Sequence, residues 1–355
     1  MKLSKNAFLC IILCLTMIMS LSSNIFAVGI TTATENADQY VLQCLPDLLS
    51  HLSNNTGRYG LNNPDLSNIS VSSAFTVSGS RDNATYYALM SNAKVLGIIT
   101  VSYTDGKYSL SYAKDFADLL TTLHASNTPF SLSWNYHDNN SASLSVQSAS
   151  STISSVSSSL AKKLVTGSSS YTMSSTRILN DSGELTNTFP LIHQDYSTYG
   201  FSCSVACAKA MAQYFNSSLS TKTLGDVIDE VYGWEQIPSA PYFLPLERAP
   251  EVFDEYVSNS YLTFGYALSL QGTKNQINSN NPTMCISESP DYEYSYHATV
   301  ITGYSYGSAS GSYMIDMMDP YTPSWRIVFW DGVDELTYSF NGYEKVWRKT
   351  IVLYS

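Results

Sequence analysis

A polar, glycine-containing loop at residues 194–202 gives way abruptly to Cys-Ser-Val-Ala-Cys-Ala-Lys-Ala-Met-Ala-Gln-Tyr, residues 203–214, a run of strong helix formers. Gly200 and Ser202 suit a loop and a helix cap, so Cys203 is expected in the first turn of a helix. Unpaired backbone N–H groups and the positive end of the helix dipole favour an anion there, and a thiol so placed is a better nucleophile near neutral pH. Alone, the same cysteine also fits a small core side chain on an alanine-rich helix. What decides between the two is the rest of the chain.

At 355 residues the chain has room for two domains. Lys2 and Lys5 precede an apolar run from Ala7 to about Leu21, and small residues follow up to Ala27, the pattern of a signal peptide at residues 1–27. Cys10 and Cys14 lie within it. No later stretch approaches the ~20 apolar residues that cross a bilayer, so a secreted protein without a membrane span is expected. Removal of the signal leaves Cys44, Cys203, Cys207 and Cys285, too few for a disulfide scaffold. Cys203 and Cys207 stand one helical turn apart, where a bond would distort the helix. The net charge of −11 is concentrated in one half: from Asp181 onward, 20 acidic side chains face 8 basic ones. That balance argues against nucleic acid as a partner.

Residues 40–49 read as a short amphipathic helix. Strand-like segments rich in β-branched and aromatic residues follow at 71–77, 85–90 and 94–103. Thr104-Asp105-Gly106-Lys107 is a hairpin turn, and an alternating strand follows at 108–112. A helix over 113–124 would place Phe116, Leu119, Leu120 and Leu123 on one face. Residues 28–140 therefore form a small α+β unit. It gathers no cluster of chemically useful side chains; His124 and His137 read as surface or packing residues. Residues 141–177 are dominated by serine and read as an exposed linker. Lys162, Lys163 and Arg177 make it either a site of proteolysis or an uncut spacer.

In residues 178–355, helices are expected at 203–214, at 221–232 with Ser220 or Thr221 as cap, and at 251–259 beyond a proline-punctuated loop. Strand patterns then run at 261–270, 283–287, 297–304, 313–318, 325–330 and 346–354. Helices first and a sheet afterwards imply two lobes with a cleft between them.

A thiolate nucleophile needs a partner that takes up and returns a proton, and imidazole is suited to it. Of the five histidines only His193 and His297 lie in this half. His297 opens the apolar strand His-Ala-Thr-Val-Ile-Thr-Gly-Tyr and can aim its ring into a cleft from a fixed backbone; His193 sits on a loop beside Gln194. The base in turn needs an acceptor for its other nitrogen. Asp319, in Met-Met-Asp-Pro, ends the next strand where Pro320 stops it. Asp316 is its rival, but alternation sets it on the other face and no turn follows it. Asp319 also fits a plain turn-initiating aspartate. The Cys203 backbone N–H and the Gln194 side-chain amide are candidate donors to a developing oxyanion.

Taken in order, Gln194, Cys203 at the head of its helix, the His297 strand and Asp319-Pro320 resemble a papain-like cysteine peptidase. Within that group they are most similar to the bacterial branch holding the streptopain-like and bacteriocin-processing (double-glycine) peptidases. The resemblance covers about residues 185–350, and Tyr214, eleven residues after Cys203, selects Cys203 over Cys207 as the nucleophile. Two features depart from it: Ser204-Val205 stands where many relatives have Gly-Pro, and the spacing from Cys203 to His297 is shorter than in papain.

The resemblance implies an α+β fold, a two-lobed papain-like domain at 178–355 with a helical lobe and an antiparallel β lobe. It implies hydrolysis of a peptide or protein substrate without metal or organic cofactor. Cys203 would be the nucleophile, His297 the general acid and base, and Asp319 the orienting acceptor. Gln194 and the Cys203 N–H would form the oxyanion hole. Residues 28–140 would be an inhibitory prodomain of a zymogen, and Trp325 or Trp330 would shield the His–Asp pair from water. A monomer is expected. Cell-wall peptide hydrolysis or acyl transfer, and a catalytically idle binding or adhesion domain, are the other readings of the same residues.

Overall fold

The computed structural model describes residues 32–66, 68–92, 94–126, 130–136, 142–148, 169–171, 180–194, 202–233, 246–292, 295–321 and 324–355. The expected signal peptide, His137, Lys162, Lys163, Arg177, loop residues 195–201 and the side chain of His124 lie outside them. The first half contains α1 (Thr32–Asn54), β1 (Ile69–Val71), β2 (Thr85–Ser91), β3 (Lys94–Thr104), β4 (Lys107–Ala113) and α2 (Ala117–Ser126). A separate hairpin of β5 (Phe130–Tyr136) and β6 (Ala142–Ser148) follows, then β7 (Ser169–Tyr171) and β8 (Asn180–Glu184). The second half runs α3 (Cys203–Phe215), α4 (Leu224–Tyr232), α5 (Glu251–Tyr256), β9 (Tyr261–Phe264), α6 (Leu270–Asn278) and β10 (Thr283–Glu288). It closes with β11 (Tyr296–Gly307), β12 (Ser312–Asp319), β13 (Ser324–Trp330), β14 (Thr337–Phe340) and β15 (Tyr343–Leu353). The chain is a mixture of helices and antiparallel sheet.

Strands of both halves share one sheet, in the order β14-β15-β10-β11-β12-β13-β4-β3-β2-β1-β7, with β8 on β11 and β9 on β15. The seam between the halves is β4 against β13, where Tyr112 pairs with Ile327 and Ser111 with Val328. Burial on both faces explains the near-continuous apolar run of β2 and β3. Tyr87 and Leu89 join the core beneath α1, while Tyr86, Ala88 and Met90 face Phe116, Leu120 and Trp134 in a smaller second core. α1 buries Leu45, Leu48, Leu49 and Leu52, one helical stripe, into the same core as Ile301, Met317 and Ile327 of the second half.

Polar ties reinforce that contact. The buried Asp47 carboxylate accepts the N–H groups of Ala309 (3.0 Å) and Ser310 (2.7 Å) in the turn between β11 and β12. His51 is bonded through Nε2 to Asp316 and through Nδ1 to Ser305, each at 2.8 Å, and Arg58 donates to Asp316 at 3.1 Å. Gly303 permits this close approach, since a Cβ there would lie 2.9 Å from Asp316 Oδ2. Asp316, the rival acceptor in the sequence, is thus committed to the first half of the chain.

Several elements differ from the expectation, each for a local reason. α1 is longer than residues 40–49 because Pro46 is accommodated inside it. The segment expected as one strand at 71–77 pairs regularly only to Val71, with an isolated bridge at Phe75. The 221–232 helix starts later: Thr223 caps it and forms a reciprocal capping box with Asp226, after a 3-10 turn at Ser217–Thr221. The expected strand at 261–270 ends at Phe264, and Ser269 instead caps α6 by accepting the Gly272 N–H. The serine-rich segment holds strands β6 and β7. Removing the Asp47 carboxylate would strand two backbone N–H groups, so Asp47→Ala is expected to cost roughly 2 kcal/mol of stability. A denaturant midpoint equal to wild type would contradict this.

Candidate active site

Cys203 is the first residue of α3, with Ser202 at the N-cap position; the Ser202 hydroxyl makes no capping bond. Ala206, Ala208, Ala210 and Ala212 are all fully buried, so small side chains let the helix settle deep among the sheet and its neighbours. Lys209 is accommodated in this buried helix because Nζ donates to Gln213 Oε1 (2.9 Å) and the Leu219 carbonyl (3.3 Å). Tyr214 anchors the far end, bonding Asn280 and accepting the Asn187 N–H at 3.2 Å.

The sheet supplies the other groups. His297 on β11 and Asp319 at the end of β12 are both buried, with His297 Nε2 3.0 Å from Asp319 Oδ1. Nε2 being committed to the carboxylate, Nδ1 is the nitrogen left for Cys203, whose side chain helps favour the imidazolium. Burial works against the imidazolium, but the Asp319 charge, its bond to the ring and the nearby Cys203 side chain prevail and hold the His297 pKa above its ordinary value. The Asp319 carboxylate also accepts the Tyr321 N–H (3.0 Å) and Arg326 Nε (3.2 Å). Burial alone would raise the Asp319 pKa; His297, Arg326 and the Tyr321 N–H overcome it and bring it to about 2.

Gln194 is buried, and its backbone N–H donates to the Pro320 carbonyl at 2.8 Å, which fixes it beside the residue following Asp319. Its side-chain Oε1 has no hydrogen-bond partner among the described residues. The structure thus pairs His297 with Asp319 and ties Gln194 through its backbone to Pro320, whereas His193 is exposed. Cys44, Cys207 and Cys285 are buried free thiols. Burial pushes Cys44 and Cys285 up to about 12 and Cys207 well above its ordinary value, so these thiols stay protonated. Among the described residues no group of three or more His, Cys, Asp or Glu is arranged to hold a metal ion.

The aromatic cover differs from the expectation. Phe340 stacks on the His297 ring, with centroids 3.8 Å apart and planes 12° apart, and Tyr321 meets Phe340 edge-on. Trp325 packs with Phe189 and under Arg58, and Trp330 with Trp347; their indoles belong to the surrounding core. Phe340 sits on a short strand absent from the sequence reading.

Arg326 and Lys345 were also missed. Arg326 is the lone charge of an apolar strand, the pattern that signals a buried and specifically bonded cation, whereas Lys345 stands among Glu344, Arg348 and Lys349 and leaves no such mark. Lys345 Nζ donates to the Ser295 hydroxyl (2.7 Å) and carbonyl (3.0 Å). Burial lowers its pKa to about 7, with the charge of Cys203 partly opposing the shift.

Residues 186–351 match the Peptidase_C39 like family. No curated protein matches the chain. An unfolded lysine keeps its proton to about pH 10. In the folded chain Lys345 keeps it only to about pH 7. Its ammonium therefore costs stability in full below pH 7, a penalty that fades as the pH rises toward ~10. Lys345→Met is expected to raise Tm most below pH 7 and progressively less up to pH 10; a calorimetric difference independent of pH would rule out this account. The match over residues 186–351 supports a cysteine peptidase family of the papain-like, C39 type for this part of the chain.

Proposed function

We propose that this chain is a secreted, monomeric cysteine peptidase made as a zymogen, hydrolysing peptide bonds in peptide or protein substrates. The observation that carries the reading is the buried His297–Asp319 pair facing a cysteine at the first turn of a helix. In the proposed cycle the Cys203 thiolate attacks the scissile carbonyl carbon, and the carbonyl electrons move onto oxygen. The Cys203 N–H and the Gln194 side-chain amide stabilise that oxyanion. As the tetrahedral species collapses, the C–N bond breaks and the His297 imidazolium gives its proton to the departing amine, leaving a thioester. His297 then takes a proton from water as the water oxygen attacks the thioester. The second collapse releases the carboxylic product and returns the thiolate–imidazolium pair. Asp319 keeps the ring oriented and supports its charged form throughout.

Cys203→Ala is expected to abolish hydrolysis of a denatured protein, with a loss of at least ~10³-fold, and labelling by a thiol-directed epoxide. Hydrolysis persisting in that variant would exclude the mechanism.

In the zymogen reading, residues 1–27 direct export and the serine-rich segment 141–177 is where the chain is cut. The strand pairing of β4 with β13 and the shared core support retention of the first half after such a cut. Secreted protein is therefore expected to show two fragments on a denaturing gel that elute together on native gel filtration. Separate elution would argue that the first half is a dissociating prodomain.

A further inference from the structure

Asp319 is not shared by His297 and the backbone alone. Arg326, 1 % exposed, reaches it through Nε (3.2 Å) and the terminal nitrogen Nη2 (3.1 Å). The same Nη2 donates to both carboxylate oxygens of Asp115, at 3.1 and 3.3 Å, while Nη1 donates to the Ser339 carbonyl at 3.3 Å. Asp115 lies in the first half of the chain, in the turn between β4 and α2. Its side chain is 26 % exposed, whereas Asp319 is completely buried. A row of groups of alternating charge therefore runs from the His297 imidazolium through Asp319 and Arg326 to Asp115.

We propose that Asp115 is a positioning residue for the reaction: by sharing the charge of Arg326, it leaves the Asp319 carboxylate available to orient His297 and support its imidazolium. This rests on the cysteine-peptidase reading above and adds a residue from outside the family-matched segment to its machinery.

The physical reason is competition between two cations for one carboxylate. A guanidinium held only by Asp319 would draw that carboxylate's field toward itself and weaken its hold on the imidazolium. A second carboxylate on the far side of the guanidinium restores the balance. Burial acts to raise the Asp115 pKa, with Arg326 opposing it, so charge at this position depends on the arginine. The other titratable groups facing the array are Cys203 and Cys207 on α3, Cys285 on β10, Tyr338 on β14 and Lys345 on β15. Asp82, which accepts the Ser339 hydroxyl, lies beyond the arginine.

The test uses the secreted protein after the cut, with both fragments retained, and the pH dependence of peptide hydrolysis. Asp115→Asn is expected to lower kcat about tenfold with KM within about twofold. It should also move the alkaline limb of the profile, where the imidazolium is lost, about one pH unit toward acid. Asp115→Glu should recover part of the loss. The double variant Asp115→Asn with Arg326→Gln should return the limb toward its wild-type position, because both competing charges are gone. Should the asparagine variant not fold, Asp115→Ser removes the same charge from the turn and is expected to give the same shift. A single-variant profile superimposed on wild type would overturn the proposal, as would an equal shift in the double variant. If Cys203→Ala is inactive and Asp115→Asn behaves as wild type, the role of Asp115 alone fails. If Cys203→Ala still hydrolyses peptide, the underlying reading fails.

Discussion

One buried carboxylate holds this structure to its chemistry. Taking an ion such as Asp319 out of water is costly unless every lone pair finds a donor. Here the donors come from three places: the His297 ring, the Tyr321 backbone and the Arg326 side chain. Each partner lies on or beside a strand of the same sheet, so strand register fixes the carboxylate and, through it, the angle of the imidazole. Phe340 stacks on the His297 ring and holds its plane. The helix has only to deliver a sulfur to the remaining nitrogen.

The same sheet makes the two halves of the chain interdependent. β13 carries Arg326 and pairs with β12, which carries Asp319, on one edge and with β4 on the other. Residues on either side of that seam share a core, and α1 is bonded to the β11–β12 turn and to Asp316. A movement of the first half would therefore act on the strands that carry the candidate site. This geometry gives the first half a larger structural part than a tethered inhibitor would have.

Much of the site was legible because its chemistry leaves local marks. A cysteine after a polar loop, a histidine opening an apolar strand and an aspartate before proline can each be seen within a few residues. The strands of the second half were also legible, since their apolar runs are bounded by Gly, Asn and Asp. What escaped was long-range. Arg326 joins Asp319 to Asp115, 211 positions away in the chain, and no local pattern announces that partner. α6 is built from polar residues with little periodic signal, and β14 is four residues long. The pairing of β4 with β13 involves two positions whose side chains look like ordinary core on either strand. The indole expected over the histidine was replaced by Phe340 because that position is set by sheet order.

The narrow seam has a consequence for solubility. β13 is almost wholly apolar, with Trp325, Ile327, Val328, Phe329 and Trp330 buried. Stripped of β4, it would present a bare strand edge with open N–H and C=O groups, a template on which a second copy can dock. The first half of the chain thus acts as an edge guard, and a shortened protein lacking it would meet clumping before it met any deficit in chemistry.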